Sequence, residues 1–160
     1  MRHPSLGAPP PDLTRGYADG ARRLRSATPR LAVRALEVAL ELDPTMRDRL
    51  GELGLRKLLR DTETLIDRVA LAVATNEPRF AGEWAEMVAP TYRRRRVPMD
   101  DLIGLGEGIR AAASSVLGPE EMRSADAAID EAIRLFRWHR RLAGDARKRN
   151  PIIAFLYKGA

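Results

Sequence analysis

The sequence predicts an all-α protein, formed by six to seven helices in one globin-like or helical-bundle domain. Apolar residues recur every three or four positions along most of the 160 residues, and this spacing places them on one face of an α-helix. Alternating β-branched residues, which would predict strands, are almost absent. The segments between the helical patterns are short, and short connections make neighbouring helices antiparallel.

The composition is typical of a globular protein with a hydrophobic core. Apolar residues make up 44% of the chain and charged residues 31%, so enough apolar surface is available for burial. Cysteine is absent, which excludes disulfide scaffolds and thiolate metal sites and is typical of a reducing cytoplasm. No apolar run approaches the roughly 18 residues that a membrane span needs. We expect a cytoplasmic protein without a transmembrane segment.

The chain divides into three regions by composition. Residues 1–28 are rich in proline and glycine, which predicts a flexible arm with no more than a helical turn at "YADGARRLR". The helical patterns fill residues 29–146. Residues 147–160 are first basic and then apolar. We therefore predict one helical domain with an arm before it and a tail after it.

Caps and prolines predict the helix boundaries in the first half. Thr28 is the expected N-cap of the first long helix, because a proline follows it in the first helical turn. Residues 43–44, an Asp-Pro pair, interrupt the pattern. A further helix is expected to begin with Asp61 or Thr62 as its cap, and it ends where the sequence reads Asn-Glu-Pro at residues 76–78.

Prolines also set the boundaries in the second half. Pro90 lies inside a helical pattern and is expected to kink or locally break that helix. Val97 should end it, because a residue before proline avoids the helical region. The next helix should reach Gly118, and the last one should stop at Gly144.

Three glycines, Gly104, Gly106 and Gly108, lie inside a helical pattern. A phosphate-binding loop would need a strand before the glycines and a helix beginning at them, so that free backbone N–H groups point at the anion. Gly104 and Gly108 are four residues apart and share one helix face, which Ala111 and Ala112 continue. We interpret this face as a surface for close approach of another helix, although each glycine costs about 1 kcal/mol relative to alanine.

Four consecutive arginines end the helix before these glycines. Within about one helical turn their side chains radiate around the axis and cannot all meet one partner. At a helix C-terminus they also offset the macrodipole, and we favour this explanation. The functional alternative is a contact with an acidic protein or, ranked second, with nucleic-acid phosphates, since the net charge is +6. The predicted basic interaction surface consists of Arg93, Arg94, Arg95, Arg96, Arg147, Lys148 and Arg149.

Residues 97–117 also permit a DNA-binding interpretation. The sequence "MDDLIGL", a glycine turn and "GIRAAASSVL" resemble the two helices of a helix-turn-helix motif. The second helix would offer Arg110, Ser114 and Ser115 to the bases, which is a small set for base recognition. A transcriptional regulator that uses this segment is therefore the alternative hypothesis.

No combination of residues predicts catalysis. The two histidines, His3 and His139, cannot build a metal site without further ligands. Arginines surround His139 in the sequence, which predicts a wet, basic face and disfavours haem ligation. The acidic pairs at residues 100–101 and 120–121 fit helix N-termini. We expect no enzymatic activity, no metal and no cofactor.

Aromatic residues are few, so those present should anchor the core or line any apolar pocket. Phe80, Trp84 and Met87 share one helix face, and an apolar groove is expected near Trp84 and Gly104. Gly108 completes this set of ligand-pocket candidates.

The apolar part of the tail should not remain in water. It reads "PIIAFLY" and follows a basic run. Docking on its own domain and packing on a second chain are equally supported, and a membrane-surface anchor ranks third. The interface candidates are Ile152, Ile153, Phe155, Leu156 and Tyr157.

One stretch of the chain has a familiar order of features. A capped helix, "RDTETLIDRVALAVA", leads into "EPRFAGEWAEMVAPTYRRRRVPMDDLIGLGEGIRAA" and then into a further long helix. Residues 60–142 thereby resemble the N-terminal regulatory domains of the RsbR/RsbRD type, with "VPMDDL" at the start of the matching helix. Glycines as in "GLGEG" are unusual for that helix. The resemblance implies a globin-like fold without haem and a dimeric signalling assembly.

The sequence therefore predicts a non-enzymatic regulatory, sensory or protein-interaction module of a bacterial-type signalling system. We expect a homodimer that binds a small apolar ligand or a partner protein. No catalytic residue is implied by the resemblance.

Overall fold

A computed structural model describes residues 9–143, and these residues form a single all-α domain. They contain no strand, so the predicted fold class is confirmed. No helix among them has the length and apolar character that crossing a membrane would require. The helices are α1 (Ala18–Ser26), α2 (Thr28–Leu42), α3 (Thr45–Thr75), α4 (Arg79–Arg94), α5 (Met99–Ala113) and α6 (Pro119–Ala143).

The connections between the first helices differ from the predicted caps in two places. Thr28 is the first residue of α2 and does not cap it, because its hydroxyl donates to the carbonyl oxygen of Leu24 in α1 at 3.0 Å. α3 continues through Asp61 and Thr62, so no helix begins there. The buried Thr62 hydroxyl donates to the carbonyl oxygen of Leu58 one turn earlier, which is how a threonine is accommodated inside a helix.

α3 is interrupted near its start at Gly51. This residue has φ 66° and ψ 179°, a conformation that only glycine adopts without strain. The helix ends at Asn76, which has φ 53° and closes it as a left-handed C-cap. The predicted end at residues 76–78 is therefore confirmed.

α4 contains Pro90 within its sixteen residues and remains helical through it to Arg94. A local break at Pro90, one of the two predicted outcomes, is therefore wrong. Arg96 follows with φ 59°, and this left-handed residue turns the chain toward Pro98. α5 begins directly after that proline, as predicted.

α5 lies between α2 and α6 at the centre of the domain. It runs antiparallel to α6, because Asp100 at its start pairs with Arg140 and Arg110 near its end pairs with Asp126. α4 packs along the other side of α6, and α3 contacts every other helix of this group. α1 packs on α3, where the Tyr17 N–H donates to the carbonyl oxygen of Val73 at 2.9 Å.

The core consists mainly of aliphatic side chains, as the low aromatic content predicts. Alanines are frequent where helices touch, and Ala35 and Ala39 of α2 are both fully buried. Small residues bring helix axes close together, so backbone contact replaces large side chains at these points. The largest fully buried side chains are Phe136, Leu24, Met46, Leu58, Ile66, Leu102, Ile109 and Ile129.

The domain begins earlier than residue 29, the boundary that composition suggested. Residues 18–26 form α1 within the supposed flexible arm 1–28. Leu24 and Ala21 are buried on this helix, so α1 contributes to the core. Gly16 allows the contact with α3, since a Cβ atom on it would lie 2.1 Å from the carbonyl oxygen of Val73.

Ion pairs fasten the ends of the central helices. Arg49 of α3 donates from both terminal nitrogens to the fully buried Asp101 of α5, at 2.8 and 3.0 Å. The same guanidinium reaches Asp43 before α3 at 2.7 Å. These hydrogen bonds with Asp101 and Asp43 raise the pKa of Arg49 above its ordinary value. Arg49 thus holds the start of α5 against the turn between α2 and α3.

Candidate functional site

The glycines of α5 are packed by helices on two sides. A Cβ atom on Gly108 would lie 2.1 Å from the carbonyl oxygen of Ala35, so α2 and α5 touch backbone to backbone there. A Cβ atom on Gly106 would lie 2.9 Å from Cγ1 of Ile133 in α6. The prediction that this region admits the close approach of another helix is confirmed, and both α2 and α6 approach.

Gly104 lies in a less crowded part of the same contact. A Cβ atom on it would meet the Cβ atom of Ala39 at 3.8 Å, an ordinary van der Waals distance. Ala112 is buried whereas Ala111 is exposed. The face of α5 that other helices approach therefore continues to Ala112 but does not include Ala111.

The helix-turn-helix interpretation of residues 97–117 is wrong. α5 is one helix from Met99 to Ala113 without an internal turn, and it is buried between α2 and α6. Arg110 pairs with Asp126 at 2.7 Å and with Asp130 at 2.5 Å. The separate recognition helix that the interpretation needs is therefore not formed, and whether the protein binds DNA stays a prediction.

The predicted ligand-pocket residues lie in two separate contacts. Phe80 and Trp84 are buried on α4, and the Trp84 ring meets Phe136 of α6 edge to face, with ring centroids 6.5 Å apart. Met87 is 68% exposed on the same helix. Gly104 and Gly108 instead face α2. Their joint role in binding a ligand stays a prediction.

The four consecutive arginines have two different environments. Arg94, Arg95 and Arg96 are exposed where α4 ends. Arg93 is partly buried and points an NH1 group toward Nδ1 of His139 at 3.5 Å. The arginines therefore radiate as expected, and three of them leave a basic edge in contact with solvent.

His139 is buried, contrary to the wet face that its arginine neighbours in the sequence suggest. Only 4% of the residue is exposed. Its Nε2 lies 3.5 Å from Oε2 of Glu86, and Arg93 stands near the other ring nitrogen, so both nitrogens are approached by charged groups. Helical spacing in the sequence could have indicated this burial, because His139 follows the buried Phe136 by three residues and so lies on the same face of α6.

Tyr92 is the buried polar aromatic of α4. Its hydroxyl donates to the carboxylate of Asp61 on α3. Burial, assisted by this carboxylate, raises the pKa of the Tyr92 hydroxyl well above its ordinary value. This bond fastens the end of α4 to the middle of α3 and indicates no chemistry.

The terminal candidates lie outside the described residues. This applies to the basic run Arg147, Lys148 and Arg149 and to the interface candidates Ile152, Ile153, Phe155, Leu156 and Tyr157. Their roles stay predictions.

A wide groove lies where two helix junctions meet. The end of α1 and the start of α2 form one side, and the turn between α5 and α6 forms the other. The groove has a volume of about 1150 Å³ and is open to solvent. It is lined by Asp19, Arg22, Arg23, Ser26, Ala27, Pro29, Arg30, Ser115, Val116, Leu117 and Gly118. We call it the α1–α6 groove.

Arginines give the α1–α6 groove its chemical character. Arg23 crosses it, donating from Nε to the carbonyl oxygen of Val116 at 2.8 Å and pairing with Glu121 of α6. Arg22 pairs with Asp19 at 2.5 Å and remains 72% exposed. Arg30 is exposed and pairs with no carboxylate among residues 9–143. The groove therefore presents positive charge above an apolar floor.

Glu121 stabilises the inner edge of this groove. It accepts hydrogen bonds from Arg23 and, at 2.8 Å, from the backbone N–H of Gly118 just before α6. The Arg23 bond and the Gly118 bond hold the pKa of the Glu121 carboxyl below its ordinary value. The expectation that this acidic pair serves the N-terminus of a helix is confirmed for Glu121.

Sequence reasoning missed the α1–α6 groove because half of it belongs to the supposed arm. The proline and glycine content of residues 1–28 predicted a flexible arm in place of α1. The arginines of "ARRLRS" were therefore not assigned to a helix face. The signal available was Ala21 and Leu24, three residues apart, which place Arg22 and Arg23 beside a buried stripe.

Within residues 9–143, no group of three or more His, Asp or Glu side chains is arranged to hold a metal ion. The sequence matches no protein-family model, and no curated protein matches it.

Proposed function

We propose that this protein is a non-enzymatic regulatory module that binds an acidic segment of a partner protein in the α1–α6 groove. The observation that carries the proposal is the combination of three arginines with an apolar floor in an open groove of about 1150 Å³. Ligand cavities for small molecules are usually enclosed on most sides. An open groove of this size is better suited to a helix or extended peptide.

The charge distribution favours an acidic partner. Arg30 has no carboxylate partner among the described residues, and Arg22 keeps most of its side chain in solvent. Both can approach a carboxylate or phosphate without breaking a buried bond. Ala27, Val116 and Leu117 would contact apolar side chains between the acidic ones. An amphipathic acidic helix fits both properties.

The resemblance to RsbR/RsbRD-type regulatory domains supports the same class of function. It favours a bacterial-type signalling system and a dimer, and both belong to the proposal. A sensory module that binds a small apolar ligand near Trp84 and Gly104 is the second form of this hypothesis. It has less support, because Trp84 packs on Phe136 and Gly108 packs on the Ala35 backbone, and these contacts occupy the predicted ligand site.

A titration followed by two-dimensional ¹⁵N–¹H NMR tests the proposal. The probe is a short synthetic peptide that alternates glutamate and leucine at helical spacing. We expect the resonances of residues 26–30 and 115–118 to shift when the peptide binds. The double variant Arg22→Gln/Arg30→Gln should bind about tenfold more weakly, which corresponds to about 1.4 kcal/mol, because it removes two of the positive charges that would meet the glutamates. Arg134→Gln is the control, because the Arg134 side chain is also mostly exposed, at 62%, but lies on α6 away from the groove.

Two results would contradict the proposal. One is the absence of any shift at millimolar peptide. The other is shifts confined to a different surface and unchanged in the double variant.

A nucleic-acid partner is the alternative that the basic edge at Arg94–Arg96 favours. These exposed arginines could contact phosphates, whereas Arg110 of the 97–117 segment is already paired with Asp126 and Asp130. Titration with duplex DNA at low and high salt tests this alternative, because each neutralised phosphate steepens the loss of affinity with salt. Binding that weakens steeply with salt and is lost in Arg94→Gln/Arg95→Gln would favour DNA over the acidic protein.

A further inference from the structure

A second groove lies between α2 and the start of α3, beside the turn that connects them. One part has a volume of about 450 Å³ and is lined by Leu36, Arg47, Glu52, Leu55, Arg56 and Leu59. An adjoining part of about 320 Å³ is lined by Glu37, Leu40, Glu41, Pro44 and Arg47. Arg47 belongs to both, so the two parts form one surface, which we call the α2–α3 groove.

The α2–α3 groove has an apolar floor that the domain itself leaves uncovered. Leu36, Leu40, Leu55 and Leu59 are only partly buried. Leucines that are gathered on one surface and only partly covered mark a place where another apolar segment binds.

We propose that residues 151–157 of the same chain, "PIIAFLY", dock in the α2–α3 groove. This inference is independent of the α1–α6 groove and its acidic partner. The segment has the apolar side chains that the floor requires. The position of α6, the length of the linker and the charge of the groove each support this occupant.

The end of α6 lies at the same end of the bundle as the α2–α3 groove. Arg140 pairs with Asp100 at the start of α5 at 2.5 Å. The next residue, Asp101, pairs with Arg49 of α3, which also reaches Asp43 in the turn between α2 and α3. This chain of ion pairs leads from the last turns of α6 to the edge of the groove.

The linker is long enough to make the connection. Residues 144–150 separate Ala143 from Pro151, and eight extended steps reach roughly 26 Å. α5 packs between α6 and α2, and packed helix axes lie about 8–10 Å apart, so the path crosses roughly 20 Å. The segment can therefore reach the groove within its own chain.

The α2 side of the groove is complementary in charge to the linker. The linker carries Arg147, Lys148 and Arg149. On the α2 side, Glu37 and Glu41 share a single guanidinium, that of Arg34, at 3.3 and 3.2 Å. Arg47 and Arg56 line the α3 side, so a basic linker would meet its carboxylates along α2.

Disulfide trapping in the full chain tests the proposal. The chain has no cysteine, so Arg47→Cys with Leu156→Cys introduces the only two thiols. Arg47 is exposed, and its replacement should leave the fold intact. Under oxidised glutathione we expect an intramolecular disulfide to form about tenfold faster than in the control pair, because docking raises the effective concentration of the two thiols.

The control pair is Met87→Cys with Leu156→Cys. Met87 is an exposed apolar residue on α4, so it reports on indiscriminate contact between the segment and the surface. A rate that is equal in both pairs would overturn the proposal. Covalent dimers as the main product of the Arg47 pair would also overturn it, in favour of docking on a second copy.

Hydrogen exchange provides a readout that needs no introduced thiol. Ile153→Asp/Phe155→Asp should increase amide exchange in residues 36–41 and 52–59 severalfold while leaving α4 unchanged. Exchange in α4 is the internal reference for folding, since α4 does not line the groove. Unchanged exchange in both ranges would overturn the proposal.

Discussion

The contact between α2 and α5 and the ion-paired edge of the bundle hold the same central helix by different means. At Gly108, backbone meets backbone, and the absence of a side chain is what makes the contact. At Asp101, a fully buried carboxylate is held by two bonds from Arg49. The first contact depends on shape alone, and the second depends on charge.

The stability of the two regions should therefore respond to different changes in sequence and in solution conditions. A shape contact is sensitive to volume and indifferent to pH and salt. An ion-paired contact tolerates small changes in volume but fails when one charge is left without its partner. Gly108→Ala and Arg49→Met separate these behaviours, and Glu121→Gln extends the test to the ion pair between Arg23 and α6.

Gly108→Ala should have the largest effect. The added Cβ atom would lie 2.1 Å from the carbonyl oxygen of Ala35, and backbone cannot rotate aside as a side chain does. We expect a loss of about 3 kcal/mol in the free energy of unfolding, the upper part of the range for overpacking. Urea denaturation followed by circular dichroism measures it.

Gly104→Ala is the matched control for this substitution. Its Cβ atom would meet Ala39 at an ordinary 3.8 Å, so the gain in helix propensity should appear as about 0.5 kcal/mol of added stability. Equal losses in both variants would show that the α2–α5 contact does not depend on backbone approach at Gly108.

Arg49→Met should have the next largest effect. It leaves the buried Asp101 without its two charged bonds. We expect a loss of about 2 kcal/mol, below the 3–5 kcal/mol of a fully buried pair, because Arg49 keeps 28% of its side chain in solvent. Thermal unfolding measures the change. A second variant, Arg49→Met/Asp101→Asn, should recover part of the loss, and no recovery would contradict the electrostatic explanation.

Glu121→Gln should have the smallest effect and the clearest dependence on pH. The folded-state pKa of Glu121 is lowered, so its contribution is present above the unfolded pKa and disappears as the pH falls through the folded pKa. At pH 7 we expect a loss of about 1 kcal/mol, below the roughly 1.5–3 kcal/mol of a hydrogen bond to a charged group, because the Arg23 side chain is 47% exposed. Urea denaturation at pH 7 and at pH 3 should show a smaller difference in stability between the two proteins at the lower pH.

The Gly108→Ala variant serves as the pH control. Its loss of stability should be the same at both pH values, since no titratable group takes part. A Glu121→Gln difference that is as large at pH 3 as at pH 7 would show that the contact of Glu121 with Arg23 and Gly118 does not depend on its charge.

Much of the fold could be predicted from the sequence because long helices repeat their apolar spacing many times. α6 and the helices on either side of Pro98 are examples. α1 could not be predicted with the same security, since it has nine residues and lies in a segment rich in glycine and proline. The start expected at Asp61 was wrong because a capping residue type in mid-helix also satisfies itself by bonding one turn back, as Thr62 does.

The candidate sites were harder to predict than the helices. Glycine spacing indicated that α5 is approached closely, but not that Gly106 faces α6 while Gly108 faces α2. Grooves depend on which helix ends meet in space, and sequence periodicity does not contain that information. The α1–α6 groove joins residues 19–30 to residues 115–118, which no local pattern connects.

The packing of α4 against α6 gives the protein two optical reporters of different exposure. Trp84 is 6% exposed and touches Phe136, whereas Trp138, two residues further along α6, is 42% exposed. They are the only tryptophans of the chain. Replacing either one by phenylalanine leaves a single emitter, so fluorescence can follow the melting of the core and the surroundings of the final turns of α6 separately.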